Sequence, residues 1–291
     1  MTNHRKELLT LIQQLSRKYS TWGVYVDFLA LAAISISNAV DWVHRQEREA
    51  QYMEIVGRYD KQEVSVFPEM FAHLVLELET YAGRLHDVLG GVFHELELHN
   101  KYKGQFFTPQ SVCDMMGLIA AGDRSGLPEC GYYTVSEPCV GSGAMVLGFA
   151  NAMQTQKIGS GREIVVTATD IDLKCVHMAY LQFSLFGIPA VVIHGNTMLM
   201  EEWSRWYTPA YMLDGWIWRQ ACGNDDKSHA EDEALKRAAD PLYAAIRDVE
   251  ALLGDRGVTP VLPAPAPGME YDFSLKESSN GQLSILELGG V

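Results

Sequence analysis

The chain has 291 residues, 47% of them apolar, and a formal net charge of −14 at pH 7. That apolar fraction is enough to build a hydrophobic core and excludes global disorder. The acidic balance argues against a protein that grips nucleic acid unaided. No apolar run approaches the ~20 residues that span a bilayer, and the first residues lack a secretory signal. Five cysteines without a C-x-x-C pair predict a cytoplasmic protein with neither a metal site nor a disulfide framework.

The first hundred residues predict an all-α N-terminal domain (1–100). Apolar residues recur at helical spacing in LLTLIQQLSRKY, EMFAHLVLELETYAG and HDVLGGVFHELEL. The apolar run FLALAAISI (28–36) is flanked by Asp27 and Asn38, which favours a buried helix. No chemistry is visible in this region.

From residue 101 the pattern alternates between helices and strands. The predicted order is helix QSVCDMMGLIAA, strand YYTVSEP, helix MVLGFANAMQ, strand EIVVTATD, helix KCVHMAYLQFSLFG and strand AVVIHGN. Such alternation predicts an α/β core (101–218) with a parallel sheet covered on both faces. The regularity stops near residue 198, and EEWSRWYTPAYMLDGWIWRQ carries no clear strand. A shortened sheet is therefore expected.

Three further segments follow the predicted core. Residues 219–259 predict an acidic helical segment, residues 260–268 a proline-rich linker, and residues 269–291 a hairpin tail. The hairpin is a candidate to cover the exposed edge of a shortened sheet, in its own chain or in a neighbouring copy.

The stretch SEPCVGSGAMVLGF (136–149) joins a strand to a helix through a glycine loop, the usual cradle for a ligand in an α/β sheet. A dinucleotide fingerprint needs a third glycine where Val146 stands, and a phosphate-binding P-loop needs Gly-Lys-Ser/Thr. Asp170 closes the second strand, where a carboxylate accepts hydrogen bonds from a ribose diol. Asn196 closes the third strand and can read an adenine edge. A ligand with ribose and adenine but no pyrophosphate is S-adenosylmethionine.

The order of QFFTP, EPCVGSG, ATDID and HGNTM over residues 101–200 resembles the N6-adenine DNA methyltransferases of bacteria and phages. The modification subunits of type I restriction systems are particularly similar. The resemblance implies a Rossmann-like, S-adenosylmethionine-dependent methyltransferase core. It also implies DNA as the substrate, together with a specificity or other protein subunit, or a homo-oligomer, as partner.

The resemblance also implies roles for the residues that would bind the methionine end of the cofactor. Phe107, Thr108 and Pro109 would close over it, with the Thr108 hydroxyl on its carboxylate. Glu137 would orient the methionine amine. Gly141 and Gly143 would let the backbone curl round the sulfonium.

Three further residues would bind the nucleoside. Asp170 would take the ribose hydroxyls, Ile171 would pack on the adenine face, and Asn196 would meet the adenine amino group. The family usually carries aspartate where this chain has Asn196, and the alternative for this residue is a turn after a strand. Asp172 is expected to be a helix N-cap.

The family's catalytic Asn/Asp-Pro-Pro-aromatic motif is missing from this chain. In that motif an amide oxygen and a proline carbonyl hold both hydrogens of the adenine amine in line with the methyl group. The nearest match places Thr208, Pro209 and Tyr211 in the catalytic positions. One interpretation is a degenerate catalytic loop, with Tyr211, Trp206 or Trp203 stacking on a flipped base. The other is that the aromatic residues only cover one edge of the sheet.

Two functions follow from these observations. The leading one is an S-adenosylmethionine-binding, adenine-specific (N6) DNA methyltransferase-like protein of a restriction-modification, phage or mobile-element system. It would transfer the methyl group by direct displacement without a metal. The alternative is a catalytically inactive homologue that acts as a cofactor-bound scaffold, regulator or anti-restriction protein, as the missing motif and the acidic charge would favour.

Overall fold

The computed structural model describes residues 3–96, 107–122, 126–156 and 163–218. All regular secondary structure in the described residues up to 96 is helical, as the sequence predicts. The helices are α1 (His4–Leu15), α2 (Thr21–Val40), α3 (Arg45–Val56), α4 (Lys61–Val64), α5 (Val66–Glu79) and α6 (Val88–Glu95). The predicted C-terminal segments 219–259, 260–268 and 269–291 lie outside the described residues. The proposed boundary between domains near residue 100 stays a prediction.

The α/β core follows the predicted alternation. Its elements are α7 (Gln110–Ala121), β1 (Tyr133–Glu137), α8 (Ala144–Thr155), β2 (Ile164–Asp170), α9 (Leu173–Leu185), β3 (Ala190–Asn196), β4 (Glu201–Tyr207), α10 (Pro209–Leu213) and a 3₁₀ turn at Trp216–Trp218. The mixed α/β fold with a helical N-terminal region is confirmed.

The sheet has the strand order β1-β2-β3-β4. Strands β1, β2 and β3 are parallel, so their carboxyl ends share one edge of the sheet. Strand β4 runs antiparallel to β3, with Tyr207 opposite Val191 and a bulge at His194/Gly195. The expectation that this segment carries no strand is therefore wrong. Its first residues are exposed and only Arg205–Tyr207 are buried, so the strand depends on pairing with β3 and leaves no alternating pattern in the sequence.

Helix α2 is long and apolar enough, by length and composition, to cross a membrane, with a mean hydropathy of 1.6. A single helix of this kind is weak evidence of a membrane span, because a buried core helix meets the same criteria. In the folded chain 61% of its 18-residue apolar stretch is buried, as expected for the core helix that FLALAAISI predicts. Side chains of α2, such as Phe28 and Leu29, share one hydrophobic core with Val166 of β2 and Met178 of α9.

A buried arginine ties the helical region to the outer strand of the sheet. The Arg48 guanidinium is paired with the Asp41 carboxylate, and it also donates to the main-chain carbonyl of Arg205 in β4. The same guanidinium lies 4.1 Å from the centre of the Trp206 ring. Because Arg48 is only 4% exposed, these contacts satisfy a charge that would otherwise be costly to bury.

Helices α7 and α8 cross at two glycines. A Cβ added to Gly117 would overlap the Gly148 carbonyl group, and one added to Gly148 would overlap the Cys113 carbonyl group. The helices therefore approach to backbone contact, which only glycine permits. Helix α7 directly follows Phe107–Pro109, so this crossing also fixes where that segment lies.

Cys113, Cys139 and Cys175 are free thiols.

Candidate functional site

A cavity of about 210 Å³ opens at the carboxyl ends of β1 and β2. It brings together four of the predicted cofactor residues, Phe107, Thr108, Gly141 and Asp170. The remaining lining residues are Cys113, Cys139, Val140, Ser142, Ala144, Met145 and Cys175. The cavity therefore lies where a ligand is expected in a parallel α/β sheet, outside the carboxyl ends of the strands.

The glycine loop needs both of its glycines. Gly141 has φ = 56° and Gly143 has φ = 99°, a left-handed region that favours glycine. A Cβ on Gly141 would lie 3.1 Å from the Phe107 ring, and one on Gly143 would lie 2.8 Å from the Phe183 ring. Gly141 thus lines the cavity, whereas Gly143 lets the start of α8 pack on α9.

Asp170 joins the glycine loop to the end of β2. Its Oδ2 accepts a hydrogen bond from the Gly141 amide at 2.9 Å, and its Oδ1 accepts one from the Asp172 amide at 2.9 Å. A carboxylate has about four acceptor sites. Asp170 therefore keeps acceptor capacity for hydroxyl groups after satisfying the two amides.

The Phe107–Pro109 segment forms the opposite wall. The Phe107 ring packs edge-to-face on Phe93 at 5.0 Å and on His94 at 5.7 Å, both in α6. Thr108 is exposed at the cavity. Pro109 occupies the N-cap position of α7 and does not line the cavity, so its role in positioning is indirect.

Three other predicted residues lie outside the cavity lining. Glu137 is half-buried, and its Oε1 accepts from the Cys139 amide at 3.1 Å. Ile171 is 59% exposed directly after Asp170. The Oδ1 of Asn196 accepts from the amides of Met198 and Leu199 at 3.1 and 3.2 Å. Those contacts are the ones expected of a turn residue, and they leave the NH2 group as the part that could meet an adenine. Asp172 caps α9, as predicted.

Two buried thiols line the cavity. Burial raises the pKa of Cys113 to about 11 and that of Cys175 to about 12. Both are therefore neutral at pH 7 and poor nucleophiles, because the thiolate is the reactive form. Among the residues that the structure describes, no group of three or more His, Cys, Asp and Glu side chains could hold a metal ion.

The degenerate catalytic segment lies at the opposite end of the strands from the cavity. The Thr208 hydroxyl donates to the Ile188 carbonyl and accepts from the Ala190 amide, each at 2.9 Å, at the amino end of β3. Because β4 is antiparallel, it carries Thr208, Pro209 and Tyr211 away from the cavity. The catalytic role of these three residues stays a prediction, and in this topology they do not line the cavity. Thr208 acts instead as the N-cap of α10.

The aromatic residues nearby mostly pack. Trp206, Tyr207 and Trp216 are buried, and the Trp216 ring lies 4.8 Å from Tyr132, edge-to-face. Trp203 is 50% exposed beside His194. The packing interpretation of this segment accounts for the three buried rings.

Sequence reasoning missed several residues of the cavity. Cys139 and Val140 line it from within the EPCVGSG motif, where their position beside the glycines was the available signal. Ser142 lies between the two glycines, and its hydroxyl turns away from solvent toward Asp87. No local pattern connects Asp87 with a loop more than fifty residues later in the chain.

The chain matches a known protein family across the candidate site. The family model described as N-6 DNA Methylase matches residues 86–233, just over half of the chain. Among solved structures, the type I restriction-modification system methyltransferase subunit from Streptococcus thermophilus is 21% identical, with a TM-score of 0.38. The match covers 69% of this chain and 40% of that one, so this chain spans well under half of that subunit's length. No curated protein matches. On the strength of the family match, the chain belongs to the N-6 DNA methylase family.

Proposed function

We propose that this chain binds S-adenosylmethionine at the cavity and takes part in N6-adenine DNA methylation within a restriction-modification, phage or mobile-element system. The observation that carries the proposal is the Asp170 carboxylate. It is bonded to the Gly141 amide at 2.9 Å and still has acceptor sites for a ribose diol.

The residues present fit the cofactor. The cavity of about 210 Å³ is smaller than the ~300 Å³ at which whole-ligand pockets begin, so it would enclose only part of the molecule. Phe107, Thr108 and Gly141 would enclose the methionine end, and Asp170 would accept from the sugar. Ile171, 59% exposed, offers an apolar surface beside the diol for the adenine ring. When bound, the cofactor would supply an electrophilic methyl group.

Binding of the DNA substrate needs groups from outside the described cavity. The Thr208–Tyr211 segment lies at the opposite edge of the sheet, so the group that would hold the adenine amine is not among the described residues of the cavity. A net charge of −14 also opposes unaided binding to DNA phosphates. We therefore infer that a specificity subunit, another protein or a second copy supplies part of the DNA grip. A cytoplasmic location stays part of the proposal.

Calorimetric titration with S-adenosylmethionine tests the cofactor site. The wild-type chain should bind, and Asp170→Ala should weaken binding by about 100-fold because two charge-assisted hydrogen bonds are lost. Asp172→Ala is the matched control, because Asp172 caps α9 and pairs with Lys174. This control should bind like the wild type. A wild-type chain that takes up no S-adenosylmethionine would contradict the proposal.

The position of Thr208 favours a second candidate, a catalytically inactive homologue that acts as a cofactor-bound scaffold, regulator or anti-restriction protein. Base-resolution sequencing of host DNA separates the two. New N6-methyladenine at a defined motif, lost in Asp170→Ala, supports the enzyme. Intact cofactor binding without a new mark supports the scaffold.

A further inference from the structure

We propose that Asp87, at the start of α6, is a positioning residue that holds both walls of the candidate cofactor cavity in register. This inference rests on the proposed function, because the cavity is taken to be a cofactor site. It gives the helical N-terminal region an indirect part in ligand binding. Asp87 itself does not line the cavity.

The first wall is the glycine loop. The Oδ2 of Asp87 accepts a hydrogen bond from the Ser142 hydroxyl at 2.6 Å. Ser142 is 1% exposed and Asp87 is 8% exposed, so water does not replace this bond when it is broken. Ser142 stands between Gly141 and Gly143, and glycine restricts the backbone less than any other residue. A side-chain anchor at this position therefore restricts the whole loop.

A buried amide reinforces the anchor. The Nε2 of Gln182, in α9, donates to Asp87 Oδ1 at 2.9 Å and to the Ser142 carbonyl at 2.7 Å. The Oε1 of Gln182 accepts from the Val88 amide at 2.9 Å, at the start of α6. The loop is thus held through both its side chain and its main chain, and every polar atom of Gln182 has partners.

The second wall is the segment that precedes α7. The Asp87 amide donates to the Oε1 of Gln110 at 2.9 Å, and Gln110 directly follows Pro109. Phe107 of the same segment packs on Phe93 of α6. The residue that anchors Ser142 therefore also anchors the start of α7, and a shift of α6 moves both walls.

The space around Asp87 leaves no room for an alternative arrangement. The Gly90 amide donates to Asp87 Oδ1 at 2.7 Å, which makes Asp87 the N-cap of α6. A Cβ on Gly90 would overlap the Asp87 carboxylate and lie 2.7 Å from Ser142 Oγ. Such a closely satisfied buried network specifies one geometry, and losing a single member leaves another unpaired.

Two variants test the role of Asp87 without removing the helix cap. Ser142→Ala deletes the hydroxyl that Asp87 accepts from. Asp87→Asn keeps a good N-cap residue but replaces the charge-assisted bond to Ser142 with a neutral one. Asp60→Ala is the matched control. Asp60 caps α4 through the amides of Gln62 and Glu63 and does not contact the glycine loop.

Two measurements are made on each full-length protein. Titration with S-adenosylmethionine should show Ser142→Ala binding about tenfold more weakly than the wild type, which corresponds to about 1.4 kcal/mol. Asp87→Asn should show a smaller loss. Hydrogen exchange without ligand should be faster at residues 139–144 in both variants. Asp60→Ala should change neither quantity, although it lowers the thermal midpoint.

The two measurements separate failure of the inference from failure of the proposed function. If the wild type binds S-adenosylmethionine and both variants match it in affinity and in loop exchange, the positioning role is overturned. If the wild type does not bind while the variants still exchange faster at 139–144, the proposed function fails and the positioning role stands. A loss of affinity in Asp60→Ala equal to that in Ser142→Ala would also overturn the role, because general destabilisation would then explain both.

Discussion

The two ends of the parallel strands differ in the hydrogen-bonding capacity that their polar residues leave available. At the carboxyl ends, Asp170 satisfies two amides and still has acceptor sites facing a cavity. At the amino ends, the Thr208 hydroxyl donates to one main-chain group and accepts from another inside a closed, fully buried contact. The comparison teaches that polar residues after a strand can serve binding or folding. Unused hydrogen-bonding capacity next to open space distinguishes the two.

The crossing of α7 and α8 serves both folding and binding, so a substitution there should lower both stability and cofactor affinity. Gly148→Val places side-chain atoms against the Cys113 carbonyl group, and overpacking at a backbone contact is expected to cost about 3 kcal/mol or more. Urea denaturation should show this loss, and cofactor affinity should fall with it because α7 directly follows Phe107–Pro109 and fixes their position. Gly187→Ala is the control, since a Cβ there meets no atom within 4 Å; it should cost less despite its positive φ. Equal losses would contradict the crossing argument.

Thr208→Val should affect folding alone. The substitution is nearly isosteric but leaves the Ala190 amide and the Ile188 carbonyl without a partner, which should cost about 2 kcal/mol. Urea denaturation measures the loss, and calorimetry should show unchanged affinity for S-adenosylmethionine. Thr208→Ser keeps the hydroxyl and is the control. A Thr208→Val protein of normal stability that had lost methyl transfer would restore the catalytic interpretation of this segment.

His177, in α9, tests how tightly α9 packs against β4. It is buried against Trp206 with a ring separation of 4.7 Å, and burial lowers its pKa from 6.5 to about 3. The unfolded chain therefore binds more protons than the folded chain between those values, and stability falls as pH drops below 6.5. At pH 5.5 the loss from this residue is about 1.4 kcal/mol.

His177→Leu should remove that loss. The difference in unfolding free energy between variant and wild type should shift toward the variant by about 1.2 kcal/mol between pH 7 and pH 5.5. Denaturation at the two pH values measures it, and acid-sensitive carboxylates cancel in the comparison. An identical pH dependence in both proteins would show that His177 is not kept neutral by folding.

Ile171→Ala should give the smallest effect and act on binding alone. The side chain is 59% exposed, so its loss should leave stability unchanged. If it covers the adenine ring, affinity should fall about fivefold, equivalent to about 1 kcal/mol of apolar burial. Met198→Ala is the control, because Met198 is 91% exposed at the β3–β4 turn. If affinity fell in Met198→Ala and not in Ile171→Ala, the adenine ring would lie against a residue other than Ile171.

The sequence predicts the parts of this fold whose pattern is local. Helices α7 to α9 and strands β1 to β3 follow from their periodicity, and the glycine loop follows from Gly141 and Gly143. Strand β4 could not be predicted, because Glu201 and Glu202 begin it and only its last three residues are buried. Its identity comes from pairing with β3, a tertiary contact.

The same distinction applies to the candidate site. Asp170 and Gly141 are predictable because strand ends and glycine turns are visible in the sequence. The bonds from Asp87 and Gln182 to Ser142 are not, because they connect three separate elements. The position of Thr208–Tyr211 away from the cavity has a topological cause, since a motif resemblance does not specify the direction of the strand that precedes it.

The buried guanidinium of Arg48 has a consequence for how the sheet can grow. It takes up the Arg205 carbonyl, a main-chain acceptor that a further strand along β4 would need. Pairing at that position would first have to displace a guanidinium that is only 4% exposed, and separating this buried charge from the Asp41 carboxylate would be costly.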